Sequence, residues 1–387
     1  MEMAEDIASE TFLAAAQTWG IEGPPPNPTA WLYHVAKNKA RTALQREQLF
    51  RSRISREIRK EAATDRTTAD PSAEIDLSPQ SIDDSQLQMM FAICHPSIPP
   101  EAQIGLSLRI LCGFGIEEIA DAFLSSKETI NKRLFRAREK LREENIRIEL
   151  PGPAAIDARL GTVLTTIYLL FNEGYYSESS NDILRKDLCL EAMRLCHMLT
   201  RNPATDQPQV SALLALMCFH ASRFEARINK NGEIILYDQQ DQSLWSTDLI
   251  NEGGYYLNCS ARGETLSTYH LEASIAYWST QKSDTPEKWE QILQLYNRLL
   301  QINYSPIAAL NRTYALARAN GKEEAIAEAE KLKLTDSPYY FALLGELYTG
   351  IDNGKATLHF KRAMELAKTA ADRRMMERKM EEIPNSY

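Results

Sequence analysis

Apolar residues recur along most of this chain at the three-to-four-residue spacing of amphipathic helices, and few segments alternate as strands do. The pattern is sharpest between residues 116 and 141. Ile116, Ile119, Ala120 and Phe123 share one face of a short helix, which Leu124-Ser125-Ser126 interrupts. Ser125 with Glu128 makes a capping box, so a second helix is expected from about Ser126. Ile130, Leu134, Ala137 and Leu141 then fall on a single stripe that a core would bury.

Nearer the N-terminus two further helices are predicted, separated by the proline-rich run 23–28. The first places Ile7, Phe12 and Leu13 inside and carries Glu5, Asp6 and Glu10 along one edge. The second, Trp31 to Gln48, divides into an apolar stripe (Leu32, Val35, Ala36, Ala40, Ala43, Leu44) and a polar face (His34, Lys37, Asn38, Arg41, Gln45). Apolar content is low from Thr64 through Ser85, which predicts a linker. Residues 99–147 are strongly helical, and Pro151-Gly152-Pro153 closes them off. Beyond residue 154 the pattern is helical almost throughout. The exception is Arg227–Tyr237, where Asn231-Gly232 between short apolar arms predicts a small β-hairpin.

A period appears late in the chain. Leu310, Asn311 and Tyr314 return 34 residues later as Leu344, Gly345 and Tyr348. Second-helix positions follow as Ala325, Ala329 and Leu332, then 31 residues later as Ala356, Phe360 and Ala363, and Trp289, Ile292, Tyr296 and Leu299 close an earlier unit. This is the spacing of tetratricopeptide (TPR) helical hairpins. The expected fold is therefore all-α: two small helical modules, then a large TPR-like helical domain with one small β-hairpin. The expected boundaries are 1–52, a linker over 53–84, 85–150, and 151–387.

Charge changes the picture more than length does. The 387 residues carry 53 acidic and 44 basic side chains, a net −9 that argues against a nucleic-acid binder along its whole length. The distribution reverses that reading locally. Residues 37–60 hold nine basic and two acidic side chains, residues 127–147 eight and four, and the acidic excess lies chiefly after residue 148. Two short helices with a basic second member suit the major groove. Lys127, Asn131, Lys132, Arg133, Arg136, Arg138 and Lys140 form its polar face, with Thr129 and Asn131 in the first turn as candidates for base edges and Arg138 and Lys140 for phosphates. In the N-terminal basic helix, Trp31 either packs inward or accepts an unstacked base, whereas Tyr33 is expected in the core.

Other features carry less. The acidic first turn at Met1 and the absence of an apolar N-terminal stretch exclude a secretory signal. The longest apolar runs, Thr162–Phe171 and Val210–Phe219, are about half a bilayer span, so no membrane partner is expected. Six cysteines without a paired framework point to free thiols in a reducing cytoplasm. Cys94-His95 and Cys189…Cys196-His197 do not reproduce a closed four-ligand spacing, and no cofactor, metal or catalytic group is expected. Gly174 reads as a helix C-cap, and the tyrosine pairs at 175–176 and 255–256 as stiffened helix interfaces.

Taken together, Ala4–Leu13 and Asn27–Ala40 resemble region 2 of an extracytoplasmic-function (ECF) sigma factor, and His95–Glu101 through Arg136–Leu141 resembles region 4. Ile167–Tyr175, Leu213–Met217 and Pro306–Arg312 resemble the C-terminal TPR-containing extension of one ECF subgroup. The resemblance implies a non-enzymatic subunit whose partners are promoter DNA and core RNA polymerase, through its β′ clamp helices and β flap. It implicates Glu5, Asp6 and Glu10 in core binding, and Trp31, His34, Lys37, Asn38 and Arg41 at the minus-10 element. At the minus-35 element it implicates Lys127, Thr129, Asn131, Lys132, Arg133, Arg136 and Arg138. Members of the family carry residues ahead of the Ala4-Glu5-Asp6 motif, so weaker core binding is expected of a chain starting at Met1. The extension would restrain DNA binding, assist polymerase engagement or recruit a regulatory protein. A conventional helix-turn-helix regulator with a helical sensor, or a TPR scaffold, are the alternatives.

Overall fold

Helices account for the regular structure among the described residues, as the spacing predicts. The computed structural model describes residues 2–25, 28–29, 31–33, 35–37, 39–40, 79–111, 114–123, 125–175, 186–228, 235, 237–367 and 370–383. They fall into two compact units, 1–89 and 90–387.

In the first unit, α1 runs Glu2–Glu22 and the helical residues between 28 and 40 form α2. Among the described side chains of α1, Thr11 and Ala15, one turn apart, are buried, and the Thr11 hydroxyl donates to the Ile7 carbonyl (2.6 Å). Phe12 and Leu13 are not inside. They are 65% and 58% exposed, because the buried face follows Ile7, Thr11 and Ala15 and positions 12 and 13 point away from it. Trp19 of α1 meets Trp31 of α2 with ring centroids 5.4 Å apart. Tyr33 likewise departs from expectation: it is exposed, and its hydroxyl accepts from Gln86 Nε2 (2.7 Å), the partner that a polar ring tip requires.

The second unit contains the end of α3 (Pro79–Ile93), then α4 (Pro100–Ile110), α5 (Ile116–Ala122) and α6 (Lys127–Glu143). Its helical body follows as α7 (Pro153–Tyr175), α8 (Lys186–Arg201), α9 (Pro208–Ala221), α10 (Phe224–Arg227), α11 (Thr247–Ser260) and α12 (Thr268–Thr280). The array of hairpins is α13 (Pro286–Ile302), α14 (Pro306–Asn320), α15 (Lys322–Leu332), α16 (Pro338–Tyr348), α17 (Asn353–Leu366) and α18 (Ala370–Glu381). The starts of three array helices are written in the sequence. Thr285, Ser305 and Ser337 each accept the backbone N–H three residues on, and each precedes a proline in the first turn.

α9 is apolar on every side, the signature of a helix surrounded by others. It packs against α7, α8, α11 and α12. α7 is 23 residues, long and apolar enough by length and composition alone to cross a membrane, but Ile156, Leu160, Val163, Leu164, Ile167, Leu170 and Phe171 are buried within the unit. Gly174 is helical and buried rather than a cap. The Tyr175 ring stacks 5.7 Å from Phe171 one turn back and carries α7 past it. Buried thiols join these helices: Cys94 to Thr166 Oγ1 (3.7 Å), Cys189 to the Phe171 carbonyl (3.5 Å) and Cys196 to the Val210 carbonyl (3.5 Å). Burial pushes the Cys94 thiol up to about 11, so it is a packing group rather than a nucleophile.

Among the described residues, glycine sets two close approaches to aromatic rings. Gly253 of α11 lies under the Phe219 ring of α9, and Gly345 of α16 under the Phe360 ring of α17. The second lies at a repeated position, and Leu310, Leu344, Ala325, Ala356, Ala329 and Ala363 are buried with it. Of the hairpin expected over Arg227–Tyr237, Ile228 is a bridge residue and residues 229–234 and 236 lie outside the described ones, while its two ends are helical instead. Buried Phe224 and Ala226 anchor a helical turn through Arg227, and Tyr237–Gln239 is a 3₁₀ turn. The Ile235 N–H donates to the Arg227 carbonyl (2.8 Å), while Asn231-Gly232 lies outside the described residues.

His220 sits among aromatic rings, with Tyr175 at 5.0 Å and Phe171 at 6.3 Å. Burial, then Arg223 and Arg227, lower its pKa from 6.5 to about 3. A folded value below the unfolded one means that this group opposes folding as pH falls through 6.5 toward 3. Urea midpoints are expected to decline over that window. His220→Gln should flatten part of the decline, and an unchanged pH profile would exclude His220 as its source.

Candidate nucleic-acid interface

The α5–α6 pair is built as its pattern predicts, with one shift. The N-cap is Ser126, whose hydroxyl accepts from the Thr129 backbone N–H (3.2 Å) and meets the Thr129 hydroxyl (2.9 Å). Ser125 is not the cap, because its own N–H is engaged by the Ala120 carbonyl (2.9 Å) and holds it in the turn. Ser126→Ala should lower stability by about 0.5–2 kcal/mol; equal urea midpoints for the two chains would deny the cap its role.

Ile130, Leu134 and Ala137 are buried and Leu141 is half-buried, so the expected inner stripe is the real one. α4 and α5 both pack against α6, and α4 also packs on α7. A 3₁₀-like turn ahead of α4 is pinned by Gln103, whose Nε2 donates to the carbonyls of His95 (3.0 Å) and Ile98 (2.9 Å).

The polar residues of α6 divide into two groups. Thr129, Lys132, Arg133, Arg136 and Lys140 share one side of the helix and line a groove of about 590 Å³, with Ser97, Ile98 and Pro99 as the opposite wall. The groove is open, and Thr129, Lys132, Arg136 and Lys140 are exposed along it. Arg133 is half-buried, its guanidinium 5.5 Å from the centroid of the Phe123 ring. Asn131 and Arg138 lie around the helix from these, on the side of the exposed Phe135, and Lys127 is ion-paired to Glu117. Lys140 pairs with Glu144 (2.9 Å). Sequence spacing drew one continuous basic face here. The groove wall from Ser97 to Pro99 and the exposed Phe135 were not anticipated, since neither has a charge or a period to mark it.

In the N-terminal unit, Trp31 is half-buried against Trp19 and Lys37 is exposed. His34, Asn38 and Arg41 lie outside the described residues. Glu5 and Asp6 lie on α1; Glu10 is exposed and pairs with Lys39 of α2 (2.7 Å). A pair this exposed contributes roughly 0–1 kcal/mol, so either side chain can exchange partners cheaply. Phe12 and Leu13, exposed rather than core, add apolar area to the Glu10 surface.

Comparison with known proteins matches two stretches of the chain. Sigma-70 region 2 matches residues 1–50, and a family of unknown function, DUF6596, matches residues 159–261. The uncharacterized protein R00370 of Rhizobium meliloti (strain 1021) is 32% identical over 378 residues, which span 96% of this chain and 88% of that protein. No solved structure matches significantly. The chain therefore belongs to one family with the rhizobial protein, and its own residues 1–50 match sigma-70 region 2, the module of RNA polymerase sigma factors.

Proposed function

We propose that the chain is an ECF-type sigma factor that brings core RNA polymerase to promoters. The observation that carries the reading is the pairing, in one chain, of a sigma-70 region 2 match with a second helical element presenting an exposed basic groove. A conventional regulator has no use for the first, and region 2 alone gives no minus-35 contact.

In this reading residues 1–52 form region 2 and 85–150 form region 4, joined by 53–84, with 151–387 as a TPR-like extension. Glu5, Asp6 and Glu10 meet the β′ clamp helices, and exposed Phe12 and Leu13 give that contact its apolar part. Trp31, His34, Lys37, Asn38 and Arg41 serve the minus-10 element: cations track the strand while the indole accepts an unstacked base. Lys127, Thr129, Asn131, Lys132, Arg133, Arg136 and Arg138 serve the minus-35 duplex, through helix-turn-helix docking in the major groove. Phosphate contacts fix position there, and Thr129 and Asn131 read base edges. The protein works in the cytoplasm, where its polymerase is. Its extension is regulatory or binds a further protein, and the packing of α7 on α4 supports its holding region 4 from behind rather than covering the groove.

Reconstituted transcription is the test. Purified full chain added to core polymerase is expected to start transcripts at defined promoters. DNA binding without initiation would point to a conventional regulator, and neither activity would leave a scaffold.

A further inference from the structure

We infer that the helical body carries a binding site for a small oxyanion, a carboxylate or phosphate group, centred on Arg223. The site lies where the segment matched by DUF6596 meets the hairpin array, a junction of the kind that ligands favour.

Arg223 precedes α10, and its neighbour Ser222 accepts the Ser246 backbone N–H (2.8 Å), which brings Trp245 alongside. The guanidinium lies 5.4 Å from the Tyr237 ring centroid, and that ring is 6.1 Å from Trp245. Its hydrogen-bond contact is His220 Nδ1 at 3.4 Å, at the long limit, on an imidazole that burial keeps neutral. Among the described residues no carboxylate pairs with Arg223, and its Nε is buried without an acceptor. Trp245 is 5% exposed and its Nε1 is likewise unmatched. Buried donors without acceptors are rare in folded proteins, and here two belong to residues that neighbour the same Tyr237 ring.

The surroundings have the same sign. Lys288 feels both Arg223 and Arg318; of the nearby carboxylates, Asp284 is already occupied by Arg318 and the Trp289 indole, and Asp238 acts on Tyr314. Lys288 is buried with its ammonium donating to the Tyr237 hydroxyl (3.0 Å) and the Gln281 carbonyl (2.7 Å), so it fixes the ring that backs the site. Arg223 and Tyr237 are half-buried, which leaves the site an opening to solvent. Cation, indole N–H and aromatic wall together match a carboxylate or phosphate, which supplies the missing acceptors and the missing negative charge.

Isothermal titration of the full chain with inorganic phosphate, and separately with succinate, tests the site and tells the two sources apart. Saturable binding of one anion per chain is expected for at least one probe. Arg223→Gln should weaken it by about tenfold or more, Trp245→Phe should weaken it less, and Arg298→Gln, on exposed α13 surface, should leave it unchanged. Absence of saturable binding by both probes overturns the site, as does binding that survives Arg223→Gln in a chain with unchanged circular dichroism. The titration uses neither polymerase nor DNA, so its failure would be separate from failure of the sigma reading.

Discussion

Alanine at Gly253 is expected to destabilise the chain by about 1–3 kcal/mol. A Cβ built there stands 2.7, 2.8 and 3.0 Å from three carbons of the Phe219 ring, closer than real Cβ atoms come. Phe219 is 1% exposed and sits on α9, around which the body is assembled. The ring has no free side to turn toward, so α11 must lift from α9, and every contact between the two helices loosens with it. The neighbouring position is the control. A Cβ on Gly254 meets nothing within 4 Å, and Gly254→Ala should be neutral or stabilise by up to about 1 kcal/mol through helix propensity alone. Urea unfolding of the two variants reads the difference, and equal midpoints would dismiss the close approach as its cause.

Replacing Lys132 and Arg136 together by alanine is expected to weaken duplex promoter binding by about 1–3 kcal/mol and to flatten the dependence of log affinity on log salt by about two units. Both side chains are exposed on the groove, and nothing in the inner stripe of α6 depends on them, so the fold should be unaffected. Arg133 is a poorer place for this test because its guanidinium also covers Phe123, and its loss mixes packing with charge. Fluorescence anisotropy with a labelled duplex over a salt series gives both quantities. A slope identical to that of the parent chain would remove these two residues from the interface.

Much of this was legible in the sequence for a physical reason. Ile130, Leu134 and Ala137, or Leu344 and Gly345, are fixed by helical period, and period survives whatever the helix packs against. The errors fall where partners decide. Phe12 and Leu13 look like core by composition, but Thr11 and Ala15 took the inner face. Ser125 and Ser126 are equivalent in any cap motif until the Ala120 carbonyl claims the first. The basic face of α6 is continuous in one dimension and divided in three, because Ser97 to Pro99 wall off one side. Arg223 carried no signal at all: its interest lies in what it lacks, and a missing partner is visible only after folding.

The seat of α4 on α7 bears on how such chains are recombined. Cys94, at the end of α3, reaches Thr166 in the middle of α7, and Phe91 and Leu106 are completely enclosed. The groove-bearing helices therefore do not travel as a cassette. A chimera joined at residue 150 strips away a supporting wall, whereas one joined after residue 175 carries it along. Exchange of promoter preference between relatives of this family is expected to respect the second junction and not the first.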